Sequence, residues 1–564
     1  MISFGSRGRI HRLRKVAFDW TTSVPHRLST TTRVHPMSES SSKGLVEALV
    51  RTPAIFGPGV RSVELLETHI SWVLLAGTDA YKIKKPVNFG FLDFSTLERR
   101  RRFCEEELRL NGRLAPELYL EVVPITGTSE APRLGGTDTA IEYAVRMRRF
   151  PQERLLSRVL QDGQLTATDI DRLAAEVADF HARIATAPRD APFGAPREVM
   201  KPVEENFRQL AVAEDMDPAL VAEIAQLETW CRSEYSRRTA DFLARKEAGF
   251  VRECHGDMHL GNMVLRDDRS VLIFDGIEFS EPLRWIDIAS EIAFVTMDLE
   301  DRGRPDFAHR FLNQYLELTG DYGLLSVLTF YQVYRAMVRA KVACLRLAQP
   351  GMNESERSRN LAEFRSYVKL AASLTRPPQP FLLLVHGLSG SGKTTGTQPV
   401  LEELGAVRLR SDVERKRLSG LKPLDRSRSG LGTDLYSTEA TSRTYERLLD
   451  RARSILCSGR SVIVDATFLR RSDRDEFRRL AVELRTPWLI LDFEAPVDVL
   501  RQRIERRARA GGDASEATVA VLEQQLTQRE PLDDEERAHA ILVETTAPLD
   551  APRLLDAIRS RVQP

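Results

Sequence analysis

In the last third of the chain, short apolar runs alternate with longer stretches of helical character. The runs at 381–386, 407–410, 461–465, 488–493 and 540–543 read as strands, and 394–404, 439–457, 474–484, 497–510 and 517–528 read as helices. That alternation predicts a parallel sheet with helices on both faces. The earlier part has another rhythm. Strands are expected at 69–76 and 80–85, a helix at 96–114, then strands at 118–124 and 140–148. After about Asp169 the pattern is mostly helical, interrupted by a short apolar run at 271–274. A small strand-rich lobe followed by a larger helical lobe is the expectation.

Thr375-Arg-Pro-Pro-Gln-Pro380 separates the two parts, because three prolines in four positions cannot continue a helix and favour an extended spacer. The expected division is a first domain at 41–374, a linker at 375–380 and a second domain at 381–564. With 564 residues, 42% hydrophobic and 29% charged, the chain is long enough for several globular domains, which excludes a single small binding module. Lys+Arg and Asp+Glu number 82 and 81, so no overall field draws nucleic acid or an anionic membrane. No run approaches about 18 apolar residues, so no membrane partner is expected. The five cysteines are scattered and lack CxxC spacing, which argues against a disulfide framework or a zinc site and fits a reducing cytoplasm. Residues 1–40 stand apart. Up to Ser38 the only acid is Asp19, against seven Arg and Lys, with many Ser and Thr. A disordered basic extension is expected there; a transit peptide has the same composition, and Met37 offers a competing start.

Chemistry enters with Gly387-Leu-Ser-Gly390-Ser-Gly392-Lys393-Thr394, which matches G-x-x-x-x-G-K-[ST] at every fixed position, between an expected strand and an expected helix. The glycines permit a tight turn whose N–H groups converge on phosphate oxygens. Lys393 is expected against the β- and γ-phosphates and the Thr394 hydroxyl on Mg²⁺, with Thr395 also in the nucleotide-binding set. Asp412 follows the next strand, where a carboxylate faces the γ-phosphate, so it is a candidate base for an attacking hydroxyl; capping the helix that starts there is the competing role. Asp465 ends a buried run and suits a water or Mg²⁺ contact, again against a capping role. Arg503 and Arg507, one helical turn apart, are candidates for stabilising charge over the phosphates, against an ordinary solvated face. This part resembles the small P-loop kinases of metabolites, antibiotics and polynucleotide ends. The resemblance implies γ-phosphoryl transfer to a hydroxyl, with residues 511–517 as a lid over the acceptor.

The first part carries His255-Gly-Asp257-Met-His259-Leu-Gly-Asn262, and thirteen residues further on Asp275 ends the run at 271–274. Such a loop places one carboxylate beside an acceptor hydroxyl and one amide oxygen on Mg²⁺. A hairpin between Asn262 and Asp275 would bring two metal ligands side by side. Zinc at His255 and His259 is rejected, because Gly256 stands where the metalloprotease pattern needs Glu. The form His-Gly-Asp-x-His-x-x-Asn resembles the aminoglycoside phosphotransferase family and its choline and fructosamine kinase relatives. That resemblance implies Asp257 as catalytic base and Asn262 and Asp275 as magnesium ligands. It also implies a phosphate-holding strand lysine, Lys82 with Lys84 competing, and an ion-pair glutamate, Glu106 with Glu105 and Glu107 competing. Asp287 resembles the acid that braces the catalytic loop. The protein-kinase glycine-rich loop is absent, which argues against a protein kinase.

Taken whole, the chain resembles bacterial fusions of an aminoglycoside-phosphotransferase-like domain with a P-loop kinase or AAA-type ATP-binding domain. The implied fold class is α/β and α+β: an N-terminal bilobal protein-kinase-like domain, then a C-terminal P-loop NTPase domain with a parallel sheet. The implied function is a bifunctional phosphotransferase using ATP and Mg²⁺, each domain phosphorylating a hydroxyl of a small molecule. Two readings compete. In one the P-loop domain is a nucleotide sensor. In the other it is a polynucleotide-end kinase, for which Arg408, Arg410, Lys416 and Arg417 would form a basic patch.

Overall fold

The computed structural model describes residues 39–90, 92–210, 217–347, 352–425, 437–510 and 514–562. The basic segment up to Ser38 and positions 511–513 of the expected lid lie outside the described residues. Contacts group the chain into two compact units. One gathers the chain up to Gln164 with Arg252–Ile286 and Val338–Phe364; the other holds Leu165–Val251, Asp287–Met337 and everything from Arg365 on. Several helices that precede the proline spacer thus group with the C-terminal sheet. Among the described residues no helix is long and apolar enough to cross a membrane.

The first unit is built on a six-stranded antiparallel sheet. Its order is Val63–Glu67, Ser71–Ala76, Asp79–Lys84, Glu142–Arg148, Tyr119–Gly127, Pro132–Leu134. The strand period of two divides Asp79–Lys84 between the faces. Tyr81 and Ile83 pack with Leu45 and Leu49 of the helix Glu39–Arg51. Lys82 and Lys84 therefore point the other way, towards the helix Leu97–Asn111. That helix begins at Thr96, whose hydroxyl accepts from the Arg99 amide, and Arg100 ties it to the sheet through a buried pair with Glu142. A short hairpin, Met263–Leu265 with Val271–Ile273, completes what the site needs.

The second unit contains a five-stranded sheet, all parallel, in the order Val407–Arg410, Val462–Asp465, Leu382–His386, Trp488–Glu494, Ala540–Glu544. Leu383, Val385, Ile463 and Leu491 are fully buried in its core, which explains why these strands read as continuous apolar runs. The helix expected at 394–404 is broken into Lys393–Gly396 and Gln398–Leu404. Pro399 has no N–H to continue the ladder, so a new helix starts with proline in its first turn. The short first piece keeps Lys393 and Thr394 at the mouth of the sheet.

Candidate active sites

In the first unit the two lysines share one acid. Lys82 Nζ donates to Glu107 Oε1 and to Asp275 Oδ1, each at 2.7 Å. Lys84 Nζ, wholly buried, donates to Glu107 Oε2 at 2.6 Å and to Glu278 Oε1. Glu106, the residue favoured from sequence, is not the ion-pair partner of the strand lysine; it pairs with Arg109 and Arg284. The reason is helical phase. Arg100, Cys104, Glu107 and Asn111 recur at four-, three- and four-residue intervals and are all buried, whereas Glu106 is turned about 100° away. That spacing was present in the sequence, hidden inside three consecutive acids. Lys82, beside Val73, Ala80, Met147 and Phe274, lines a cavity of about 110 Å³. Lys84 lies sealed beneath it with Phe94, which separates the two candidates.

The electrostatics follow from this packing. Burial raises Glu107, but the ammonium groups of Lys82 and Lys84 outweigh it and hold the carboxyl at about 2. Burial acts to lower Lys82, but Asp275 and Glu107 outweigh it, so the amine is held well above its ordinary range. Glu278 is pushed up by burial, only partly offset by Lys84. Truncating Lys84 to Ala removes the bonded counter-charge of the buried Glu278 and leaves only the more distant Lys82. The expected result is a loss of about 3–5 kcal/mol of folding stability, read by urea unfolding.

The loop from His255 to Asn262 closes on itself. Asn262 Nδ2 donates to Asp257 Oδ2 at 2.9 Å and to the Asp257 carbonyl at 3.1 Å, and both residues are 2% exposed. Gly256, at φ 88°, permits the turn before Asp257; a Cβ there would meet the Leu283 carbonyl at 2.8 Å. The Phe274 amide donates to the Asn262 carbonyl at 2.9 Å, so the hairpin delivers Asp275 next to Asn262. Asp275 itself sits at φ 63°, a left-handed conformation rare outside glycine and asparagine-like residues. Its amide donates to the Tyr119 hydroxyl at 3.1 Å, which steadies the turn that aims its carboxylate at Lys82. Asp287 binds Arg245 at 2.7 Å and caps the helix Ile288–Asp301.

In the second unit the phosphate loop leaves the strand Leu382–His386. Gly387, Gly390 and Gly392 all have positive φ, and a Cβ on Gly390 would lie 2.9 Å from the Leu500 carbonyl. Lys393 Nζ donates to the Gly387 and Leu388 carbonyls, each at 2.8 Å. The parallel register sets Val385 beside Asp465, and Thr394 Oγ1 donates to Asp465 Oδ2 at 2.6 Å. This pairing, rather than a cap, occupies the Asp465 carboxylate. Thr395, Asp412, Arg503 and Arg507 join the loop in lining a cavity of about 380 Å³. Arg410 holds the N-cap position, so Asp412 is not the capping residue; its Oδ1 accepts from Arg415 Nη1 at 2.8 Å. Arg503 reaches Thr545 Oγ1 at 2.9 Å and the Gly390 carbonyl at 3.4 Å, and Arg507 reaches the Ala517 carbonyl at 3.3 Å. Tyr445, Asp473 and Arg470 also line the cavity; sequence reasoning missed them because Tyr445 lies in the helix Thr438–Cys457 and the other two at the start of the helix Arg471–Glu483, far along the chain from the phosphate loop.

The basic patch weighed for polynucleotide ends does not exist as an open surface. Arg408 is 6% exposed and faces Glu317, as does Arg410. Lys416 binds Glu516 at 3.0 Å, and Arg417 pairs with Glu414. Hard oxygen donors stand at both sites instead: Asp275 lines the first cavity, with the buried Asn262 behind it across the hairpin, and Thr394 and Asp465 line the second. Such sets suit a divalent cation that prefers oxygen, and the glycine cradle suits phosphate oxygens.

Residues 91–328 match the family described as phosphotransferase enzyme family, and residues 382–532 match the AAA domain. The uncharacterized protein Rv2004c of Mycobacterium tuberculosis (strain ATCC 25618 / H37Rv) is 32% identical over 461 residues, covering 82% of this chain and 89% of that protein. Among solved structures, the amicoumacin kinase hAmiN, in complex with AMP-PNP, Ca²⁺ and Ami, is 12% identical. It covers 59% of this chain and 96% of its own, with a TM-score of 0.37. A sugar kinase from Janibacter sp. HTCC2649 is 22% identical over 33% of this chain and 97% of its own, with a TM-score of 0.25. A protein-kinase-like phosphotransferase domain followed by a P-loop domain on a parallel sheet makes this chain an ATP-binding kinase that works with a divalent metal. It belongs to the family of the mycobacterial protein Rv2004c.

Proposed function

We propose that each domain, 41–374 and 381–564 across the linker 375–380, transfers the γ-phosphoryl group of ATP to a hydroxyl of its own small-molecule acceptor, with Mg²⁺ as the metal. The observation that carries this reading is that two unrelated folds assemble the same set: a buried ammonium group, paired oxygen donors and one further carboxylate. In the first cavity Lys82, held by Glu107, contacts the phosphates, and Asn262 with Asp275 holds the metal. Asp257, oriented by Asn262, accepts the proton of the acceptor hydroxyl. In the second, Lys393, Arg503 and Arg507 neutralise phosphate charge, Thr394 and Asp465 hold the metal, and Asp412 accepts the proton. The metal, when bound, offsets the charge on the phosphate oxygens. Positioning and charge neutralisation are most of what this chemistry needs.

Full-length protein incubated with γ-labelled ATP and a metabolite extract tests the reading. Two labelled products are expected, one lost in Asp257→Asn and the other in Asp412→Asn. A single product lost in both variants would overturn the assignment of two acceptors.

A pH dependence separates the two cavities. Burial pulls Lys393 down to about 8, with Asp465 and Asp412 opposing the fall, whereas Lys82 is raised. Bound phosphates favour the ammonium form, so nucleotide binding at Lys393 takes up a proton above that pH and little below it. Affinity there should fall as pH rises through about 8. Calorimetry at two pH values, in buffers of different ionisation enthalpy, should show proton uptake only at the higher pH, and Lys393→Met should remove it.

A further inference from the structure

We propose that the helix Pro305–Thr319, which lies inside the phosphotransferase-matched segment, is a working part of the second cavity. Glu317, acting through Arg408, positions Thr394, while its main-chain carbonyl holds Arg417 of the helix that carries Asp412. This rests on the reading of that cavity as a metal–nucleotide site.

The strand Val407–Arg410 is the edge of the parallel sheet. An edge leaves backbone groups without a strand partner. Asn313 Oδ1 accepts from the Arg408 amide at 2.8 Å, so a side chain of the helix takes the place of a missing strand. The Arg408 guanidinium is then used in two directions. Its Nη1 donates to the Thr394 carbonyl at 2.8 Å and to Gln398 Oε1 at 3.1 Å. Its Nε and Nη2 face Glu317 Oε1, each at 3.4 Å. Asn313 Nδ2 donates to that same oxygen at 2.9 Å, and Arg417 Nη2 donates to the Glu317 carbonyl at 2.6 Å.

Thr394 and Arg417 are the two ends of this network that matter. Thr394 carries the hydroxyl bonded to Asp465. Arg417 lies on the helix Ser411–Leu418, which carries Asp412. Asn313 and Glu317 are 4% and 6% exposed, so the counter-charge to Arg408 comes from a desolvated acid. Without that charge, a buried guanidinium has reason to leave the Thr394 carbonyl and seek water or another acid. Glu317 is thus a positioning residue: it acts on the metal ligand through Arg408.

A second contact on the same helix serves as an internal control. His309 Nδ1 lies 2.7 Å from the Glu402 carbonyl and touches neither Arg408 nor Thr394. Simple packing of the helix would make both contacts equally important.

The test uses full-length protein in an Asp275→Ala background, which removes a metal ligand of the first cavity. ATP affinity is measured with Mg²⁺ and with a chelator. Glu317→Gln should weaken Mg²⁺-dependent ATP binding by about 10-fold or more, with metal-free binding little changed, as expected when support behind a metal ligand is removed. Asn313→Ala leaves Arg408 its counter-charge and should show a smaller loss of the same kind, so the outcome does not hang on one variant's folding. His309→Ala should bind as the background does. If the background shows no Mg²⁺-dependent binding, the reading of the second cavity fails. If it binds and Glu317→Gln and Asn313→Ala bind equally well, or His309→Ala loses as much, the positioning role is overturned.

Discussion

Asp257→Asn is expected to cut transfer at the first cavity by about 10²–10⁴-fold, the usual contribution of a positioned general base. ATP binding should survive. The substitution keeps the side-chain shape and leaves an oxygen to accept the bond from Asn262 Nδ2, which now reaches Asp257 at 2.9 Å. It removes only the capacity to take a proton. Lys82 remains paired with Glu107 and with Asp275, so the side proposed to hold the phosphates is untouched. Label transfer from ATP and direct nucleotide titration on the same preparation give the two readouts. Undiminished transfer would remove Asp257 as the base; loss of nucleotide binding together with transfer would make its role structural.

The second large effect is expected at the other cavity, where two variants should fail differently. Asp412→Asn should bind ATP and lose transfer, again by about 10²–10⁴-fold. Lys393→Ala should lose nucleotide affinity instead, by about 10–100-fold, the worth of hydrogen bonds to a charged group. The structural basis is that Asp412 touches Arg415 and not the loop, while Lys393 is folded back on the Gly387 and Leu388 carbonyls. A nucleotide sensor without transfer would show the Lys393 effect and no Asp412 effect. Hydrolysis of ATP without acceptor, measured alongside, separates those outcomes.

The parts of each site that lie close together along the chain were legible in the sequence. The phosphate loop spans a few residues whose glycines and lysine have no other reason to stand at that spacing, and the structure folds them as a cradle after the first central strand. The same holds for Asp257 and Asn262, five residues apart and bonded to each other. Asp275 was reachable because a hairpin of two short apolar runs has little freedom in where it returns the chain. The alternating pattern of the last third likewise specified a parallel sheet, since continuous apolar strands can only be buried on both faces.

What sequence reading could not supply was phase and partnership. Glu106 and Glu107 are chemically identical neighbours, and only the rotation of the helix Leu97–Asn111 over the sheet decides which meets Lys82. Lys84 and Glu278 are bonded across 194 positions, and Arg408 with Glu317 are opposed across 91. No local pattern encodes a pairing between residues so far apart. Local propensity and contiguous motifs determined where nucleotide chemistry resides in this protein. Burial, by forcing each enclosed charge to find a partner, decided which residues hold that chemistry in place.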